Sequence, residues 1–115
     1  MKMLPQEVEV WYLIPAIRKE LAISLHNLGL KQKEIAELLN LTPSAISQYL
    51  KEKRGKQELK EEFKLKIEAS AKELSEGKPL IPIMKQLSNE AWKMGILCDL
   101  HKKYDDKLPE QCKLC

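Results

Sequence analysis

Apolar residues recur every three or four positions along most of this chain, and this spacing predicts amphipathic helices. The pattern is clearest between Pro15 and Gly29, because proline is favoured in a first helical turn and glycine just after a last one. Pro15 either kinks a helix that begins near Pro5 or starts a new one. The apolar stripe of this helix is Ile17, Leu21, Leu25 and Leu28.

Two short helices with a tight link between them are predicted next. The segment KQKEIAELL at 31–39 has one apolar side. Thr42 can cap the following helix, since its hydroxyl can accept a hydrogen bond from a free amide of the first turn. Pro43 suits the first helical position, where a missing N–H costs nothing. This second helix is predicted to end at Gly55, after a basic last turn.

Two longer helices complete an all-α fold, and no segment alternates apolar and polar residues long enough to predict a sheet. They are expected at about 57–74 and 83–100, followed by an irregular segment that contains Pro109 and the cysteines. We therefore predict a helix-turn-helix domain at 1–56, a helical core or dimerisation extension at 57–97 and a Cys/His segment at 98–115. The two stripes are Leu59, Phe63, Ile67, Ala71 and Leu74, and Ile83, Leu87, Ala91, Met94 and Cys98.

The pair of short helices has the pattern of a helix-turn-helix that binds DNA. Its second helix can bury Ile46 and Leu50, while small and amide side chains keep the other face slim enough for a major groove. Gln48 can hydrogen-bond an adenine edge, and the methyl group of Ala45 can contact thymine. Many helical domains with short links never touch DNA, which is the alternative interpretation. The DNA-contacting residues expected from this segment are Thr42, Ser44, Ala45, Ser47, Gln48, Lys51, Lys53, Arg54 and Lys56.

The segment GLKQKEIAELLNLTPSAISQYLKEKRG resembles the helix-turn-helix of the lambda-repressor-like (Cro/Xre-type) transcription regulators. From about residue 4 onward, the chain is also similar to small archaeal predicted regulators that carry cysteines near their C-terminus. The resemblance implies that Gln32 touches a phosphate and that the small face of the second helix meets bases. Two positions depart from the pattern: Lys31 stands where Ser or Thr is usual, and Asn40 where Gly is usual. Asn tolerates the left-handed conformation, so the turn should survive.

All 3 cysteines fall in the last 18 residues and suggest a metal site. Cys98 and His101 are one helical turn apart, and Cys112 and Cys115 form a C-x2-C pair, so the four could bind one ion. Three thiolates and an imidazole suit structural zinc, and they also suit an iron–sulfur cluster with one histidine ligand. A metal-free Cys112–Cys115 redox dithiol and a segment of unligated cysteines are the other interpretations.

Charge and composition permit this function without requiring it. The 115 residues carry a net charge of +3, which is mildly basic. The first residues contain glutamates and no long apolar run, so we expect no membrane span and a reducing, cytoplasmic location. Nothing indicates an enzyme or a small-molecule substrate: the chain has no glycine-rich phosphate loop and no paired-carboxylate pattern.

The sequence therefore predicts a transcription regulator that binds double-stranded DNA, with a zinc or iron–sulfur centre that stabilises or senses. Homodimerisation is expected, because such modules usually read two half-sites and because a chain this short buries a modest core. The expected interface combines the helix at 57–74 with the segment PLIPIMKQL. The alternative is a zinc-stabilised helical adaptor that binds another protein and reads no DNA.

Overall fold

The computed structural model describes residues 7, 9–51 and 59–96, and this part of the chain is helical with no strand. A π-helical turn at Glu9–Leu13 leads into the first of five α-helices. Among the described residues, no helix is long and apolar enough to span a membrane. The α-helices are α1 (Ile14–Asn27), α2 (Gln32–Leu39), α3 (Pro43–Lys51), α4 (Glu61–Ser75) and α5 (Leu80–Lys93).

The π-helical turn, which we call the π turn, shows how Pro15 is accommodated. Pro15 lies in the first turn of α1. It has no N–H to donate, so the carbonyl one turn earlier lacks its α-helical partner, and the chain before it follows the wider π geometry. Pro15 therefore lies at the start of the α-helix, and a helical run precedes it.

Helix α1 lies against α2, α3 and α4, and its packing against α4 is the most extensive. The apolar stripe is confirmed at Ile17, Leu21 and Leu25, which are fully buried. The prediction for Leu28 is wrong, because this side chain is 50% exposed. Gly29, with φ of +96°, turns the chain at this point, and Leu30 packs against the core instead. The Leu30 N–H donates to the Leu25 carbonyl at 3.2 Å, which closes the helix end.

Helix α4 begins at Glu61, later than the predicted residue 57, because Lys60 has extended backbone angles. Its predicted stripe is nevertheless buried at all five positions from Leu59 to Leu74. Glu61 and Glu62 lie in the first turn, where the positive end of the helix dipole favours carboxylates.

Helix α5 begins and ends earlier than predicted. It starts at Leu80 and ends at Lys93, since Gly95 adopts a φ of +73° just beyond its end. Ile83, Leu87 and Ala91 are buried as predicted, and Met94 is half-buried. The prediction of one uninterrupted helix to residue 100 is therefore wrong, and Cys98, the last residue of the predicted stripe, lies outside the described residues. The division of the chain into three domains stays a prediction.

Candidate nucleic-acid interface

The link between α2 and α3 is a tight left-handed turn. Asn40 has φ of 59° and ψ of 41°, the left-handed conformation that the sequence predicted it would tolerate. The Leu41 N–H donates to the Ala36 carbonyl at 2.9 Å and closes the end of α2. Asn40, Leu41 and Thr42 form the whole connection, which fixes the direction of α3 relative to α2.

Thr42 caps α3 as predicted. Its Oγ1 accepts a hydrogen bond from the Ala45 N–H at 3.1 Å, and its carbonyl accepts one from the Ile46 N–H at 3.2 Å. Pro43 occupies the first helical position, which needs no donor. These contacts fix where α3 begins, and therefore which of its side chains face outward.

The inner face of α3 holds the helix against the domain. Ile46 is fully buried, and Tyr49 and Leu50 are half-buried against the core. Ala36 of α2 is also buried, and its small side chain is the kind that close helix packing requires. Because α3 packs on both α1 and α2, its outer face is presented by a well-supported helix.

The predicted DNA-contacting residues on the outer face of α3 form two groups that differ in exposure. Ser44, Gln48 and Lys51 are exposed, and their spacing of four and then three residues places them along one stripe. Ala45 and Ser47 are half-buried beside that stripe. The structure thus brings a hydroxyl, an amide and an ammonium into one exposed row, without a carboxylate among them.

Gln32 is exposed at the start of α2. The residue before it, Lys31, has no side-chain acceptor, and its own N–H donates to Glu34 Oε1 at 3.3 Å. Glu34 thereby supplies half of a capping box, which explains why the missing Ser or Thr is tolerated. Lys31 and Lys33 are exposed on either side of Gln32. These two cations were not among the predicted DNA-contacting residues, although their positions next to Gln32 could have indicated them.

The remaining predicted site residues lie outside the described residues. This applies to Lys53, Arg54 and Lys56 of the basic segment after α3. It also applies to all four residues of the predicted metal site: Cys98, His101, Cys112 and Cys115. In the part of the chain that is described, no three His, Cys, Asp or Glu side chains come together as a metal site would require.

A shallow groove between α4 and α5 has a volume of about 120 Å³. Lys66 and Glu90 form an ion pair across it at 3.3 Å. The volume is well below the several hundred Å³ of most small-molecule sites, so this groove does not compete with α3 as the candidate site.

A family model described as helix-turn-helix matches residues 17–57, which include most of α1 and all of α2 and α3. No curated protein and no solved structure shows significant similarity to the chain. The family match covers the segment that contains the left-handed turn at Asn40 and the capped helix α3. Residues 17–57 are therefore a helix-turn-helix domain of the lambda-repressor-like type, the DNA-binding domain of a transcription regulator.

Proposed function

We propose that this chain is a homodimeric regulator that reads DNA sequence with the outer face of α3. The observation that carries the proposal is the exposed row of Ser44, Gln48 and Lys51 on a helix fixed by the Thr42 cap. This face has no bulky or acidic side chain, so α3 can approach the floor of a major groove.

Gln48 is the central reader in this proposal. Its amide has one acceptor and two donors, and it can bond both N6 and N7 of adenine. Ser44 lies one turn nearer the start of α3, where its hydroxyl can reach a base or a phosphate. Lys51 lies one turn beyond Gln48 and suits the phosphate backbone. Ala45 and Ser47 are half-buried, so their contribution is a methyl or hydroxyl contact at the edge of the face.

Contacts to the phosphate backbone come from both sides of α3. Gln32 at the start of α2 is the proposed phosphate contact on one side, with Lys31 and Lys33 next to it. Lys53, Arg54 and Lys56 are the proposed contacts beyond α3, on the basis of their charge and position in the sequence. Such contacts fix the register of the protein on DNA and make its affinity depend on salt.

Homodimerisation gives the second reading helix that a palindromic site requires. One helix-turn-helix covers a half-site, and two half-sites lie about 34 Å apart. The proposed interface uses the outer sides of α4 and α5, where Leu65 is 60% and Ile81 is 80% exposed. Such exposed apolar residues on otherwise charged helices are available for a protein contact.

The metal or cluster site is proposed on the chemistry of its four donors. Three thiolates and one imidazole from Cys98, His101, Cys112 and Cys115 fit a tetrahedral zinc site, and they fit an iron–sulfur cluster equally well. Such a group would supply crosslinking or a response to redox state. Counting zinc, iron and sulfide per chain in anaerobically purified protein distinguishes the two.

DNA reading is tested with a duplex selected from a random library, using Gln48→Ala and a matched control, Gln86→Ala. Both glutamines are exposed on helices, and Gln86 lies on α5. We expect Gln48→Ala to cost about 1–3 kcal/mol of binding and to relax the sequence preference at one base pair. Gln86→Ala should bind like the parent. A parent protein whose duplex affinity does not fall with salt would contradict DNA reading and favour the adaptor function.

A further inference from the structure

The π turn exposes two adjacent large apolar side chains. Val10 is 60% and Trp11 is 65% exposed. The other large apolar residues exposed in the described part of the chain are Leu28, Leu65 and Ile81, each on a different element. Tryptophan is enriched in contact surfaces, so an exposed tryptophan indicates a partner. We call Val10 and Trp11 the π-turn patch.

The end of α5 lies beside the π turn. Trp92, at the end of α5, donates from Nε1 to Glu9 Oε2 at 2.5 Å, so this helix end contacts the residue just before Val10. Lys60 Nζ donates to the Met94 carbonyl at 3.0 Å and holds the same helix end against the start of α4. Gly95 then turns the chain, and Ile96 is buried. This part of the described chain therefore ends at Ile96, four residues beyond the indole that contacts the π turn.

We infer that the segment 97–115 of the same chain covers the π-turn patch. An extended segment of 19 residues spans roughly 60 Å, several times the distance across a helix, so its length does not limit the contact. Its equal numbers of acidic and basic residues let it approach a surface that carries Glu9. Covalent connection also gives it a high effective concentration at that surface. The apolar residues that it offers are Leu97, Leu100, Tyr104, Leu108 and Leu114.

A second copy of the chain fits the π-turn patch less well. Stable interfaces bury about 800 Å² on each partner, with an apolar centre. The patch is only two residues wide, and no other large exposed apolar residue of the described chain lies on the π turn. A contact by a connected segment needs no such area, because the segment is already attached to the domain at Ile96.

This contact would join the cysteine-containing segment to the helix-turn-helix domain. The π turn runs directly into α1, and α1 packs on α3. A change at Cys98, Cys112 or Cys115 would then be transmitted to α3 through the π turn and α1, because α1 contacts α3. The inference does not depend on whether a metal is present or whether α3 reads DNA.

The test places a benzophenone amino acid at position 11 of the full chain, with the same residue at position 81 as the matched control. Trp11 and Ile81 are both exposed, and the bulky aromatic replacement keeps the character of Trp11. After illumination, cross-linked peptides are mapped by mass spectrometry. We expect position 11 to cross-link to 97–115 within one chain, in several-fold higher yield than position 81.

Three outcomes would overturn the inference: cross-links from position 11 mainly to another chain, similar yields from both positions, or none to 97–115. A second variant, Leu97→Ser with Leu100→Ser, should lower the yield from position 11 and leave the circular dichroism of the helices unchanged. An unchanged cross-linking yield in this double variant would also contradict the inference that 97–115 covers the π-turn patch. Duplex binding is measured separately on the parent protein, so failure of the proposed function is distinguished from failure of this contact.

Discussion

Helices α3 and α4 have similar inner faces and different outer faces. Ile46 of α3 and Ile67 of α4 are both fully buried. The outer face of α4 is mainly lysine and glutamate, as on a surface that faces water, with the exposed Leu65 of the proposed interface among them. The outer face of α3 has two small polar side chains, one amide and one ammonium. The inner faces therefore stabilise the fold, and the side chains of the outer faces determine what each helix can contact.

The largest expected effect comes from the inner face of α3. Replacing the fully buried Ile46 with alanine should lower the free energy of unfolding by about 2–5 kcal/mol, because the lost methyl groups leave a cavity. Gln48→Ala, on the exposed outer face of the same helix, is the control and should change it by less than about 0.5 kcal/mol. Urea unfolding followed by circular dichroism measures both. Equal losses in the free energy of unfolding would show that burial does not distinguish the inner face of α3 from its outer face.

An intermediate effect is expected at the start of α3. Thr42→Ala removes the hydroxyl that accepts from the Ala45 N–H, and should cost about 1 kcal/mol of stability. Thr42→Ser keeps the acceptor and should leave the stability nearly unchanged, because serine caps a helix at least as well as threonine. Thermal unfolding of the two variants gives the difference. If they prove equally stable, the hydroxyl does not cap the helix in solution.

The smallest effect should come from single lysines on the outer faces, and it should appear in binding rather than stability. Lys51→Ala removes a proposed phosphate contact, so the slope of log affinity against log salt should become shallower by about one. Lys72→Ala removes an exposed lysine of α4 and should leave the slope unchanged. Duplex titrations at several salt concentrations measure both. A change for Lys72 as large as that for Lys51 would remove the distinction between the outer faces.

Local rules were enough to predict the helix-turn-helix. The buried stripes apart from Leu28, the Thr42 cap and the left-handed Asn40 each depend on residues within one or two turns, and all are found in the structure. The chemistry of the outer face of α3 was predicted by residue type alone. The sequence did not predict which of these side chains are most exposed. The half-burial of Ala45 and Ser47 depends on how α3 packs against its neighbours.

The errors fall where a single residue changes the direction of the chain. Periodicity continues through Leu28 and through Gly95, whereas the backbone turns at Gly29 and Gly95 with positive φ. A stripe shows which residues could share a face and does not show where the helix stops. The π turn was missed because its spacing differs little from that of an α-helix. The four predicted metal ligands and the basic residues beyond α3 stay predictions.

The hydrogen bond between Trp92 and Glu9 has a consequence for the order in which the chain folds. It joins residues 83 positions apart, whereas the contacts within each helix and each turn are local. Closing so long a loop costs entropy that only nearly complete packing can offset. The indole of Trp92 therefore reaches its native environment late in folding, after α1 and α5 have formed. Its fluorescence is therefore a probe of completed assembly of the described helices.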